Sequence, residues 1–187
     1  MAVANILELA LIYGSARPGR FCDTVAAWAE DRIVGHGGFR LATVDPAIVD
    51  EAAMRVRLAR ADAFVIVTPE YNHGYPAPLK ALIDGTSSEW AAKPVAFVSY
   101  GGISGGLRAV EQLRQVMAEM HAVTIRDCLA LSHARKQFRD GVLHAPAPAE
   151  KAAELMLARL YWWAEALRHA RLRHPYEGAA ALRNDLP

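Results

Sequence analysis

Ala63-Phe-Val-Ile-Val-Thr-Pro-Glu-Tyr-Asn-His-Gly-Tyr-Pro-Ala-Pro-Leu-Lys-Ala-Leu-Ile-Asp84 passes from an unbroken apolar run through a stiff polar loop into a helical pattern. The run Ala63–Thr68 is apolar on both alternating faces, which is the pattern of a strand covered by helices on both sides. Pro69 fixes φ and removes a backbone donor, while Pro76 and Pro78 prepare the start of a helix over Pro78–Asp84. The amides that follow Pro69 are predicted to point outward. Together with the loop's aromatic and amide side chains, they suit a flat heterocycle edged with donors and acceptors better than a phosphate chain or a metal.

Similar runs occur on either side of this stretch, at Ile6–Tyr13, Phe39–Val44 and Val95–Tyr100, with a weaker one at Ala122–Ile125. Helical periodicity lies between them, over Asp23–Val34, Asp50–Arg60 and Leu107–Met120, so the chain alternates β and α and predicts a parallel sheet. An open doubly wound sheet binds ligands beyond the carboxyl ends of its strands, at a switch point in strand order. Three such strand ends carry loops dense in Gly, Pro, Ser and Asn: Gly14–Phe21, Pro69–Pro78 and Tyr100–Gly106. The last helical pattern, about Ala149–Leu172, is apolar on more than one face, which predicts that part of it meets another subunit. Ala145–Ala149 reads as a linker. The expectation is a single domain over residues 1–173 with a weakly ordered tail at 174–187.

A length of 187 residues and 53% hydrophobic composition suffice for one substantial core. A formal net charge of +1 gives no bulk electrostatic reason to bind nucleic acid or an anionic membrane, so function is expected in a local site. Two isolated cysteines, Cys22 and Cys128, suggest neither a disulfide framework nor a zinc site and make a cytoplasmic location the simplest reading. No lysine or arginine precedes the apolar N-terminus and Glu8 interrupts it, so it reads as a buried strand and not a signal peptide; no run is long enough for a spanning helix.

The loop Gly14-Ser-Ala-Arg-Pro-Gly-Arg-Phe21 joins the first strand to the first helix, an order that aims free amides and the positive helix end at one point. Ser15 adds a hydroxyl, and Arg17 and Arg20 add forked charged donors suited to a phosphate dianion. A Walker A reading fails because Arg20 and Phe21 stand where Lys and Ser/Thr are required, and no dinucleotide Gly fingerprint exists. A terminal monophosphate is the expected anion. Pro69–Asn72 and Ser99–Gly102 are then placed to bracket a planar ring, with Gly101, Gly102, Gly105 and Gly106 permitting close backbone approach.

Three segments carry a family resemblance: Gly14-Ser-Ala-Arg-Pro-Gly-Arg20, Thr68-Pro-Glu-Tyr-Asn-His-Gly-Tyr-Pro-Ala-Pro-Leu-Lys80 and Ser99-Tyr-Gly-Gly-Ile-Ser-Gly-Gly-Leu-Arg-Ala-Val-Glu-Gln-Leu-Arg114. Over roughly Ile6–Ile125 the chain resembles the NADPH-dependent FMN reductase family of flavodoxin-like proteins. The resemblance implies a flavodoxin-like three-layer sandwich, with a five-stranded parallel sheet in order 2-1-3-4-5. It also implies noncovalent FMN, NADPH or NADH as co-substrate, a small-molecule acceptor (flavin, quinone, azo compound or metal oxyanion) and a homodimer or homotetramer. Carried over by position, Ser15, Arg17 and the backbone of Gly19, Arg20 and Phe21 hold the FMN phosphate. Pro69, Glu70, Tyr71 and Asn72 line the ring, Glu70 and Tyr71 partly through their main chain, and Ser99, Tyr100, Gly101 and Gly102 close its other side. The chain departs from the family pattern in its short connection after the second strand, Asp45–Arg60, in Ala81 where Asn is common, and in Arg20 where Ser is frequent.

No side chain is nominated as a catalytic acid or base, because the cofactor carries the chemistry. Arg108 reads as a solvated first-turn arginine in preference to a contact for a nicotinamide phosphate, and Cys22 as a buried spectator. The histidines lack metal-ligand spacing, so no metal is expected; His73 reads equally as a pocket rim or a surface residue. Two other function classes are a flavodoxin-like electron-transfer protein without NAD(P)H activity of its own, and a flavin-free interaction protein that keeps the fold.

Overall fold

The structure, a computed structural model, describes residues 6–176. Five parallel strands, β1 (Leu7–Tyr13), β2 (Phe39–Val44), β3 (Ala63–Pro69), β4 (Pro94–Tyr100) and β5 (Val123–Leu131), form a sheet in the order β2-β1-β3-β4-β5. Every residue of β3 and β4 is buried, as their almost wholly apolar sequence requires of strands covered on both faces. Helices α1 (Cys22–His36) and α6 (Ala147–Arg173) cover one face, where Leu9, Leu11, Val65, Val67, Ala96 and Val98 point. On the opposite face, Ala10, Ile12, Phe64, Ile66, Val95 and Phe97 pack beneath α2 (Glu51–Arg60), α3 (Ala77–Asp84) and α4 (Leu107–Glu119). Full burial of each such aliphatic or aromatic side chain contributes about 1.5–3 kcal/mol, so this alternation is what fixes both layers to the sheet.

Boundaries agree with the sequence reading for four strands; β5 is the exception, reaching Leu131 instead of stopping at Ile125. Its pairing with β4 shifts between Val95 and Phe97, and the extra residues include Arg126 and Asp127. A bulged edge strand with charged residues breaks the period-2 pattern that would reveal it. Beyond β5 lie a short helix, α5 (Ala134–Gln137), and a two-residue hairpin, β6 (Phe138–Arg139) with β7 (Val142–Leu143). The expected linker is shorter than its sequence suggests, because Pro146 caps α6 and Pro148 lies in its first turn, where a missing N–H leaves no hydrogen bond unmade. At the start of the expected tail, the Tyr176 hydroxyl meets His121 Nδ1 at 2.9 Å. The rest of that tail, 177–187, lies outside the described residues, as do residues 1–5. Among the described residues no helix is long and apolar enough to cross a membrane.

Candidate cofactor site

The order β2-β1-β3-β4-β5 reverses direction beside β1, so the loops leaving β1, β3 and β4 meet at one edge of the sheet. Between them is a cavity of about 620 Å³, within the roughly 300–1,000 Å³ typical of small-molecule and cofactor pockets. Ten residues expected to bind the cofactor line it: Arg17, Gly19, Arg20, Phe21, Pro69, Glu70, Tyr71, Tyr100, Gly101 and Gly102. Ser15, Asn72 and Ser99 do not.

At the first loop, Gly14 N–H donates to Val67 O and ties the turn to β3. A Cβ at Gly14 would come within 2.7 Å of that carbonyl oxygen, so only glycine fits there. Ser15 is fully buried, and its Oγ meets the Tyr71 hydroxyl at 2.9 Å, which joins the first loop to the second. Arg17 stacks over the Tyr71 ring, 5.1 Å from its centroid, and has no acidic partner among the described residues. The amides of Ala16, Gly19 and Phe21 likewise find no acceptor among the described residues, and Gly19 holds φ 61°, which glycine tolerates. These donors stand at the N-terminus of the 15-residue α1.

Arg20 needs correction as a phosphate ligand. Its guanidinium is bound bidentately to the Asp45 carboxylate, donates to Ser15 O, and reaches Asp23 Oδ1 at 2.7 Å. The Asp45 hydrogen bond, against the opposing pull of burial, pushes the Arg20 pKa further up. On Asp45 itself burial pushes upward, but the guanidinium wins and holds the carboxyl below its ordinary range. Arg20 therefore shapes the loop with its charge already balanced. Asp45 opens the short connection after β2, so two of the three departures from the family pattern, Arg20 and this connection, are joined by one ion pair.

In the second loop the amides expected to point outward are partly consumed. Glu70 N–H donates to Tyr100 O at 3.1 Å, and Tyr71 and Gly74 exchange N–H···O bonds of 2.9 and 3.0 Å. That exchange closes a two-residue hairpin turn with positive φ at Asn72 (49°) and His73 (69°), the geometry in which Asn is favoured. Asn72 is thereby turned to the exposed outside, and its own N–H and that of His73 have no acceptor among the described residues. The Glu70 side chain is 7% exposed; it accepts from Ser104 Oγ (2.8 Å), from Arg108 N–H (3.2 Å) and from the Arg108 guanidinium (2.7 Å). Burial pushes its pKa up, yet these donors together hold it below the usual carboxylate range. Glu70 is thus an ionised clip between the second and third loops. Arg108 is held by that clip and is not the freely solvated residue of the sequence reading.

Ser99 is fully buried behind the third loop and donates to Gly105 O at 2.8 Å. Tyr100 lies below the cavity with its hydroxyl toward Cys22, and burial pushes that hydroxyl far above its usual pKa, so it remains neutral. The Cys22 thiol is also pushed up by burial and donates to Val67 O, as befits a spectator. At Gly106, φ is 91° and a Cβ would come within 2.7 Å of Ser99 Cβ, so the turn into α4 demands glycine. His73 is exposed and does not line the cavity.

A fourth wall escaped the sequence reading: His133, Ala134, Arg135 and Lys136 also line the cavity. His133 N–H donates to Gly102 O at 2.8 Å and Ala134 N–H to Gly101 O at 3.4 Å, fixing α5 to the third loop. Arg135 covers the Phe21 ring at 4.8 Å from its centroid, and Phe21 packs edge-on against Phe138 at 5.5 Å. The sequence signal was the basic pair Arg135-Lys136 following an apolar run, masked by the bulge in β5.

The residues present fit FMN. One end of the cavity offers an arginine and amides at a helix start that have no partner among the described residues, the donor set of a phosphate. The other end is flanked by proline, tyrosine and glycine backbone, with open space where a Cβ at Gly102 would stand.

The family model described as NADPH-dependent FMN reductase matches residues 7–136. An NAD(P)H-dependent FMN reductase of Schizosaccharomyces pombe is 32% identical over 157 residues, covering 73% of this chain and 78% of that protein. An NAD(P)H:quinone oxidoreductase of Solanum tuberosum is 34% identical over 120 residues, covering 60% of this chain and 61% of its own. Among solved structures, the flavoenzyme NAD(P)H:(acceptor) oxidoreductase FerB of Paracoccus denitrificans superposes with a TM-score of 0.71 at 20% identity, covering 86% of this chain and 98% of that one. The last likeness bears on the fold, and the family match spans the three loops and all of α5 but its last residue: the chain belongs to the NADPH-dependent FMN reductase family.

Proposed function

We propose that residues 1–173 form a single FMN-binding unit that oxidises NADPH or NADH and reduces a small-molecule acceptor such as a flavin or quinone. The observation that carries this reading is a phosphate donor set and a flat, glycine-flanked slot within one 620 Å³ cavity, in a chain of this family. Bound FMN supplies the two-electron chemistry. Arg17 and the amides of Ala16, Gly19 and Phe21 anchor the phosphate, each charge-assisted bond contributing roughly 1.5–3 kcal/mol. Pro69–Tyr71 and Tyr100–Gly102 flank the ring, and the Glu70 clip keeps those two walls at a fixed separation. Asn72 contributes from the rim through its backbone. Ser15, Arg20 and Ser99 act by positioning the loops, and no side chain serves as an acid or base.

In this reading the protein is cytoplasmic and homo-oligomeric, a dimer or tetramer. Supporting the assembly, Trp162 (61% exposed), Leu155 (49%) and Trp163 (38%) stand on the outer side of α6. The test of function is an anaerobic titration of FMN-loaded protein with NADPH and with NADH, followed by addition of a quinone. Loss of the flavin absorbance on titration and its return with quinone are expected. FMN binding without reduction by either nicotinamide would instead make the protein an electron carrier served by a partner reductase.

A further inference from the structure

The cavity carries more cationic charge than one phosphate uses. Arg17, Arg20, Arg135 and Lys136 line it, against the single carboxylate of Glu70. Arg20 is balanced by Asp45 and Asp23, and Glu70 by Arg108, so these cancel locally. Arg17, with three free amides and the start of α1, already meets a dianion. Arg135 and Lys136 remain: neither has an acidic partner within salt-bridge distance among the described residues, and both are exposed at the cavity wall.

Their placement is built into the fold. α5 is fixed at its start by the bonds to Gly101 and Gly102, and at its end by Phe138, buried against Phe21. The Arg135 guanidinium lies over the Phe21 face, an arrangement that holds the group in place while its in-plane donors stay free, at lower entropic loss. The alternative nicotinamide-phosphate contact, Arg108, is engaged by Glu70 through two hydrogen bonds.

We propose that Arg135 and Lys136 form a second anion subsite, which takes an oxyanion carried by the substrate that shares the cavity with FMN. That oxyanion is either the 2′-phosphate of NADPH or an anionic group, such as a sulfonate, on the acceptor. The proposal rests on the cavity being the cofactor site, as proposed above. It makes α5 the specificity-determining element, selecting NADPH over NADH or anionic over neutral acceptors.

The test uses the full chain and the variant Arg135→Gln/Lys136→Gln, which removes both charges while keeping an unbranched polar side chain at each position. Apo protein is first titrated with FMN, and the variant's affinity is expected within about twofold of the parent. A loss of about tenfold or more would overturn the proposal by assigning these cations to the FMN phosphate. FMN-loaded proteins are then titrated calorimetrically with adenosine 2′,5′-bisphosphate and with adenosine 5′-monophosphate. Alongside this, kcat/KM is measured for NADPH against NADH, and for anthraquinone-2-sulfonate against menadione. The anionic-to-neutral ratio is expected to fall about tenfold or more in one arm, the loss of roughly one charge-assisted contact. A fall in the bisphosphate and NADPH arm identifies the 2′-phosphate, and a fall in the quinone arm identifies the acceptor. Unchanged ratios in both arms, with FMN bound, would overturn the subsite. If the parent protein binds no FMN, the cofactor reading itself fails, a result separable from every outcome above.

Discussion

Two arginines three positions apart in one loop have opposite roles, and the difference lies in a residue far along the chain. Arg17 lies over Tyr71 with no acidic partner among the described residues, whereas Arg20 is closed on Asp45, which arrives from the end of β2. Arg17→Ala is therefore expected to weaken FMN binding about tenfold or more with little change in stability, read by fluorescence titration and by denaturant melting. Arg20→Ala strands a carboxylate that is 4% exposed; about 3 kcal/mol of stability should be lost, with any FMN effect following from the disordered loop. If the two variants behave alike, the separation of roles is wrong. The sequence showed that both were cations beside a helix start; it did not show the partner, because an ion pair across 25 positions leaves no local trace. The same limit applies to Glu70, whose donors, Ser104 on the third loop and Arg108 in the first turn of α4, lie 34 and 38 positions along the chain.

At the scale of elements, legibility followed burial. β1, β3 and β4 are shielded on both faces, so apart from Glu8 near the start of β1 and the small hydroxyl residues Thr68 and Ser99 near the ends of β3 and β4 their sequences are apolar runs, readable from composition alone. β5 sits at the sheet edge with a register shift, and α5, β6 and β7 are each too short to hold a period. That is why the fourth wall of the cavity was missed while three were found. In α6 the sequence showed too many apolar residues for one face. The structure separates them into an inner set, Ala153, Met156, Leu157, Leu160 and Ala164, beneath the sheet, and an outer set around Trp162, which packs edge-on against Trp163 at 5.2 Å. If that outer set meets a second copy, the parent protein should sediment as a dimer or tetramer. Trp162→Glu should then shift it to a smaller species by desolvating a carboxylate at the contact. An unchanged sedimentation coefficient would remove α6 from the interface.

Across the whole molecule, the cavity and a second buried polar fastening lie at opposite ends of the sheet. Beneath the amino ends of the strands, Lys93 Nζ donates to Leu58 O (3.0 Å) and Ala59 O (2.8 Å) at the end of α2. Beside it, Asp62 accepts from Glu8 N–H and from Arg171 of α6, and Arg171 also donates to Ala92 O at 2.6 Å. Both helical layers are thus pinned to the sheet at the end away from the cofactor. Lys93 is 7% exposed; burial, and then the charge of Arg171, push its pKa down to about 8, against the opposing pull of Asp62 and Glu89. In the unfolded chain a lysine titrates near 10.4, so between about pH 8 and about pH 10.4 the unfolded state holds the extra proton. Stability from this group must therefore rise with pH across that window and stay flat below it. The two carbonyl acceptors favour the ammonium form and limit the rise to at most about 3 kcal/mol. Urea melts of the parent and of Lys93→Met at pH 7, 8, 9 and 10 read it directly. The parent should gain on the variant from pH 8 upward, and a constant difference would mean that Lys93 keeps its proton throughout. Because the fastening is remote from the loops, FMN affinity at pH 7 should be the same in both proteins, which separates control of stability from control of the site.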